Sequence, residues 1–229
     1  MLRSDMATLY SPPEPTSERL LPIGCFAAIG RNRLAMELLR FGELCPDVAV
    51  GVHEMGRPAL LSGLRSGELA LAVLPGEPDP EFRHARLWDD RALLALPPGH
   101  PLATEPAVAV AELAQLLFLV SRKQHGNELH RFLLRRLLGE GARVPSEIRD
   151  LGLGKILGLV TEGAGAALVC ESQIDPARNT VALRPIDHPA ARFTVHAQWA
   201  GGGSDPVLAR LVDLLVEESL RFDMETSFT

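Results

Sequence analysis

From Leu20 onward, strand-like segments alternate with segments of helical spacing, and that alternation constrains the fold more than anything else in the chain. The sharpest case is Leu69–Leu74, an unbroken apolar run between Gly67 and Pro75, as expected of a strand buried on both faces. Before it, 20–26 reads as a short buried strand, 32–45 as a helix and 48–53 as a strand. Pro58 suits the first turn of a helix over 58–66. After it, 83–88 and 91–96 read as two strands around an Asp89-Asp90 hairpin turn, followed by the rigid turn 97–101. One helical turn at 110–115 and a strand at 116–120 come next. The helix 127–138 then has Leu129, Phe132, Leu133 and Leu137 facing in and Arg131, Arg135 and Arg136 facing out. A polar strand at 144–149, a helix at 153–162, strands at 165–170, 180–184 and 193–199, and a helix at 205–221 complete the series. This order predicts an α/β protein with mostly parallel strands.

Composition excludes several classes. With 229 residues, 46% hydrophobic, the chain can bury a full core without disulfides or metals. A net charge of -6 is a poor match to gripping phosphate backbones. Cys25, Cys45 and Cys170 are odd in number and form no C-x-x-C pair, which predicts reduced thiols, a reducing compartment and no zinc site. No apolar stretch is long enough for a membrane span, and the proline-rich 1–19 has no secretory character and reads as a tail.

Enzyme motifs are weak. Gly152, Gly154 and Gly158 form G-x-G-x-x-x-G, with Glu171 downstream, and imitate a dinucleotide fingerprint. The spacing is one residue too long, and the preceding Glu147-Ile148-Arg149-Asp150 is too charged for the central strand which that motif needs. Close helix packing is the preferred reading of these glycines. Ser62 and Ser121 sit in no nucleophile elbow, no local pattern ties a histidine to Cys25, and the spacing of His125 and His130 does not suit two metal ligands on one helix face. No catalytic residue, metal or cofactor is therefore assigned, and His100 reads as a structural histidine.

What remains is a set of residues at the carboxyl ends of strands and the starts of helices, where open α/β sheets bind ligands. These are Cys25, Phe26 and Ala27 (within 25–30), then Met55, Gly56 and Arg57, then Leu74 and Pro75. Ser121, Arg122 and His125 (within 121–126) follow the strand 116–120, and Gln198 lies in the last strand. Arg57 at a helix start has a fork suited to a carboxylate.

Several segments, taken in order, resemble one family. They are Ile23-Gly24, Cys45-Pro46-Asp47-Val48, the run from Leu60 to Val73 (LLSGLRSGELALAV), Leu96–Ala103 (LPPGHPLA) and Ile156–Val169 (ILGLVTEGAGAALV). From Leu21 to about Leu220 the chain resembles the effector-binding domain of LysR-type transcriptional regulators. The resemblance implies a periplasmic-binding-protein-like fold of two Rossmann-like subdomains joined by two crossover strands, near 97–101 and 190–198. Subdomain I is expected at 20–97 and 199–229, subdomain II at 98–198, with a small-molecule effector in the cleft between them. It also implies a cytoplasmic homodimer or homotetramer that meets DNA only through an N-terminal winged helix-turn-helix, which is not visible in 1–19. Where many members carry Ser or Thr, this chain has the apolar Cys25-Phe26-Ala27-Ala28, and Met55-Gly56-Arg57 before the second helix. That departure points to an effector with a hydrophobic or aromatic body, its acidic group on Arg57, Arg122 or His125. Two alternatives stand beside it: a solute-binding protein of the same fold, which needs a secretory signal or anchor, and a Rossmann enzyme using Gly152–Gly158.

Overall fold

In the computed structural model, residues 19–27, 29, 31–174, 180–202 and 205–226 are described; the tail reading for 1–18, and Ala28 and Gly30, lie outside them. The chain forms two compact units, Met1–Asp89 with Thr194–Thr229 and Asp90–Phe193.

Unit 1 opens with β1 (Arg19–Phe26), α1 (Arg31–Leu44), β2 (Val48–Met55), α2 (Arg57–Ser66) and β3 (Leu71–Pro75). β1 pairs in parallel with both β2 and β3, so each helix serves as a crossover between parallel strands. β3 is buried along its whole length, as its unbroken apolar run requires. α2 turns Leu60, Gly63 and Leu64 inward and stops at Gly67, whose φ of 75° places it in the left-handed region. The close seat of α2 on the sheet depends on Gly24, where an added Cβ would lie 2.2 Å from Leu60 Cδ2 and 2.7 Å from Leu69 Cδ1. The last helix of the chain, α5 (Pro206–Thr226), returns to pack on α1.

The Asp89-Asp90 hairpin is not formed. One strand of 14 residues, β4 (Arg83–Leu96), runs straight through it and carries the chain from unit 1 into unit 2. A turn is unnecessary because both carboxylates have partners in extended backbone. Asp89 accepts from Thr194 Oγ1 at 2.8 Å, and the buried Asp90 accepts from Ser172 Oγ at 2.5 Å and from the Arg91 amide. The chain returns through β10 (Arg192–Trp199), which lies antiparallel to β3.

In unit 2, β4 is followed by β5 (Val108–Ala109), β6 (Phe118–Ser121), α3 (Gly126–Leu138), β7 (Ser146–Arg149), α4 (Leu153–Thr161), β8 (Ala167–Cys170) and β9 (Ala182–Asp187). β8 and β9 both pair antiparallel with β4, whereas β6 and β7 form a separate parallel pair. The sheets are therefore mixed rather than mostly parallel. Antiparallel pairing with the long crossing strands is not visible in local patterns, which do not encode strand order. Leu93, Ala95, Leu119, Ile156, Leu157, Val160, Ala167 and Val169 form a core beneath α4. Arg136 does not face outward with Arg131 and Arg135. It stacks near Phe132 and Phe193 and donates to the Ala190 and Arg192 carbonyls at 3.1 and 3.0 Å.

Close packing does not explain Gly152, Gly154 and Gly158: an added Cβ at each would meet nothing within 4 Å. β7, which precedes them, is a short, largely exposed strand at the end of the two-stranded pair. A dinucleotide fingerprint instead needs a buried central strand feeding the glycine turn.

Candidate functional site

The parallel strands of unit 1 end together, and the residues at those ends differ sharply in burial. Cys25, Phe26, Ala27, Leu74 and Pro75 are buried, Gly56 is buried, and Met55 and Arg57 are half-buried. The Ala27 amide donates to the Met55 carbonyl at 3.4 Å, which ties the end of β1 to the end of β2. Ala27 adopts φ 47°, the left-handed region that disfavours a side chain. The apolar ends of the strands are thus shaped by a backbone conformation that alanine does not advertise.

Arg57 begins α2, but its fork is directed to the backbone. Nη1 donates to the Pro75 carbonyl at 3.1 Å and Nη2 to the Glu77 carbonyl at 2.9 Å. It therefore clamps the segment leaving β3 against the start of α2. No side chain caps α2 at Gly56. Replacing Arg57 with Gln should free that segment. The expected result is faster amide exchange at Gly76 and Glu77, with exchange in β1 unchanged.

Cys25 donates its thiol to the Ile29 carbonyl at 3.2 Å and is 1% exposed. Gln198 is not brought to the strand ends. It pairs in register with Ala72, short of Pro75, and its Oε1 accepts from the Asp79 amide at 2.8 Å. Its Nε2 is buried and, among the described residues, has no hydrogen-bond partner.

In unit 2 the end of β6 meets the start of α3. Ser121 Oγ donates to the Leu151 carbonyl at 2.7 Å and lies 3.1 Å from that of Lys123. An added Cβ at Gly126 would lie 2.8 Å from both Ser121 Cβ and the Ser121 carbonyl oxygen, so only glycine permits α3 to start there. Gln124 and His125 both take left-handed backbone, at φ 53° and 55°. Two such residues in succession, neither glycine nor asparagine, store strain at this corner. Nothing in their residue types signals it. His125 Nδ1 lies 3.3 Å from Glu128 Oε1, and Arg122 is exposed, its amide donating to the Arg149 carbonyl. α3 has no side-chain cap either. The unit thus presents a serine, a histidine and an arginine at one corner, a set suited to an anionic group, while the first α3 amide, of Gly126, donates to the Lys123 carbonyl.

The description "LysR substrate binding domain" matches residues 16–219. The DNA-binding transcriptional dual regulator OxyR of Escherichia coli K12 is 27% identical over 213 residues, which cover 91% of this chain and 67% of that protein. Among solved structures, the oxidized form of OxyR is 26% identical with a TM-score of 0.68, covering 94% of this chain and 100% of that one. The BenM effector-binding domain with its effector benzoate has a TM-score of 0.70 at 18% identity, covering 93% and 96% of the two chains, and so shares the fold. This is the periplasmic-binding-protein-like fold, in which two α/β units are joined by two crossover strands, here β4 and β10. Family match and fold agree over nearly the whole length, and the chain belongs to the LysR substrate-binding domain family.

Proposed function

We infer that this chain is the ligand-sensing part of a LysR-type transcriptional regulator and that its effector is a small organic acid with an apolar body. Support for the effector class comes from the strand ends of unit 1, where Cys25, Phe26, Ala27, Leu74 and Pro75 are apolar and buried and none supplies a hydroxyl for a polar effector. Arg57 is occupied with the Pro75 and Glu77 carbonyls and serves as a positioning residue. Within unit 2, Ser121, Arg122 and His125 stand at the start of α3 as a separate set suited to an acidic group. Gln198 acts through the Asp79 loop instead of touching the effector.

On this reading the chain makes and breaks no bonds. The two compact units are the two regulatory subdomains, and the effector biases their equilibrium only by its differential affinity for two states. A dimer or higher oligomer passes the change to a DNA-binding segment elsewhere in the full-length regulator, in the cytoplasm. Among the described residues, no helix is long and apolar enough to cross a membrane.

A thermal-shift screen tests this directly. Monocarboxylates with aromatic or branched aliphatic bodies should raise the melting temperature saturably, as a ligand of the native state must. A response to sulfate alone would reject the proposal.

Two of the three thiols are withdrawn from oxidation in the folded state. Cys25 is buried and hydrogen-bonded. Cys170 is fully buried, and burial, together with the charge of Asp90, pushes its thiol well above the ordinary range. Thiolate character and access both govern oxidation, and neither of these cysteines has access. Cys45 is half-buried. Native protein treated with a thiol reagent should be modified first and fastest at Cys45, with Cys25 and Cys170 reacting only after unfolding. Rapid peroxide oxidation of Cys170 in the folded state would contradict this account.

A further inference from the structure

Unit 2 holds a cavity of about 350 Å³ that lies apart from the Ser121–Gly126 corner. It is bounded by Arg91 and Ala92 of β4, Ala107, the end of β9 with the turn after it, and Arg192 of β10. Its size is at the lower end of the range of about 300–1,000 Å³ typical of small-molecule sites.

Three cationic or donor groups border this space. Arg91 Nη2 donates to Glu171 Oε1 at 2.7 Å, yet its Nε is buried and, among the described residues, has no hydrogen-bond partner. That nitrogen is closed off from the cavity, so Arg91 lines the wall without offering it a free N–H there. His188 Nδ1 accepts from the Ala190 amide at 3.2 Å, which assigns the ring proton to Nε2 and leaves that nitrogen as a donor. Arg192 adds an exposed guanidinium.

The turn carrying these groups is held in place. Arg136 grips the Ala190 and Arg192 carbonyls while its cation lies 5.7 and 5.5 Å from the Phe132 and Phe193 ring centroids. Pro185 and Ile186, with Ala92 and Ala107, supply apolar wall. The exposed carboxylate of Asp187 also borders the cavity and repels a second negative charge.

We propose that this cavity is a second small-molecule site, for an organic monoanion with a compact apolar body. Its carboxylate accepts from Arg192 and His188 Nε2. Because Arg91 and Arg192 stand where the chain enters and leaves unit 2, the ligand ties the two crossing strands together. The site is independent of the effector residues proposed above.

Protein labelled with ¹³C at alanine and isoleucine methyls, titrated with benzoate, provides the test. Saturable shifts are expected at Ala92, Ala107, Ala191 and Ile186. Arg192→Gln, at an exposed position that leaves the fold intact, should weaken binding about tenfold or more, as loss of a charge-assisted hydrogen bond does. His188→Phe, which removes the Nε2 donor, should do the same. Absence of saturable shifts at these methyls, equal affinity in both variants, or equally strong shifts with inorganic phosphate would overturn the proposal. A response confined to the Ala27 methyl would overturn it too, while leaving the effector assignment standing.

Discussion

Gly165→Ala should destabilise the protein by about 3 kcal/mol in chemical denaturation, close to the largest effect expected of so small a change. An added Cβ at Gly165 would lie 2.6 Å from the Leu117 carbonyl oxygen. That oxygen is main chain and accepts from the Ala166 amide at 2.8 Å, while the Leu119 amide donates to the Ala166 carbonyl at the same distance. These two bonds attach β6 to the segment entering β8. Neither partner can swing aside as the end of a leucine would, so the methyl must push the strands apart and weaken both bonds. Gly158→Ala is the matched control. Gly158 lies inside α4, exposed, with open space where a Cβ would go. Alanine there should stabilise by up to about 1 kcal/mol through helix propensity and a less mobile unfolded chain. A loss at Gly158 as large as at Gly165 would mean that the glycine run of α4 has a role which the geometry does not provide.

Acidification from about pH 7 to about pH 5 should cost roughly 2 kcal/mol of stability through His130 alone. Its ring is buried against Phe118, with centroids 5.4 Å apart, and burial pushes its pKa down to about 4. The unfolded chain takes up this proton near the ordinary value of about 6.5, so between the two values unfolding binds a proton and acid favours it. The contribution is complete above about 6.5 and fades as pH falls toward 4. The difference in melting temperature between the two pH values, measured for wild type and for His130→Gln, isolates the residue from other titrating groups. Wild type should lose about 4–8 °C more than the variant over this interval. Equal losses would show that the folded state accommodates the imidazolium.

Much of the candidate site was legible from residue order. The ends of β1, β2 and β3 lie where the alternation of strands and helices puts them, because a right-handed crossover between parallel strands leaves little choice. The apolar character of Cys25, Phe26 and Ala27 could likewise be read directly. The chemistry of Arg57 could not: a fork at a helix start suits a ligand carboxylate and a backbone carbonyl equally, and only tertiary contact with Pro75 and Glu77 decides between them. The surroundings of Gln198 could not be read either, for a related reason. A strand's residues alternate in direction, but its position along neighbouring strands is a matter of register, and register with Ala72 keeps it away from Pro75.

The sequence by itself determined the fold class, most of the helix and strand series and the family, since those rest on local periodicity and on segment order. Tertiary structure alone decided that Asp89 and Asp90 sit within one crossing strand, that Arg136 turns inward, and that Arg91 and Arg192 line one cavity. The physical reason is the same in each case. A polar side chain takes its role from the partner that satisfies it, and partners such as Ser172 or the Ala190 carbonyl arrive from parts of the chain more than fifty residues away.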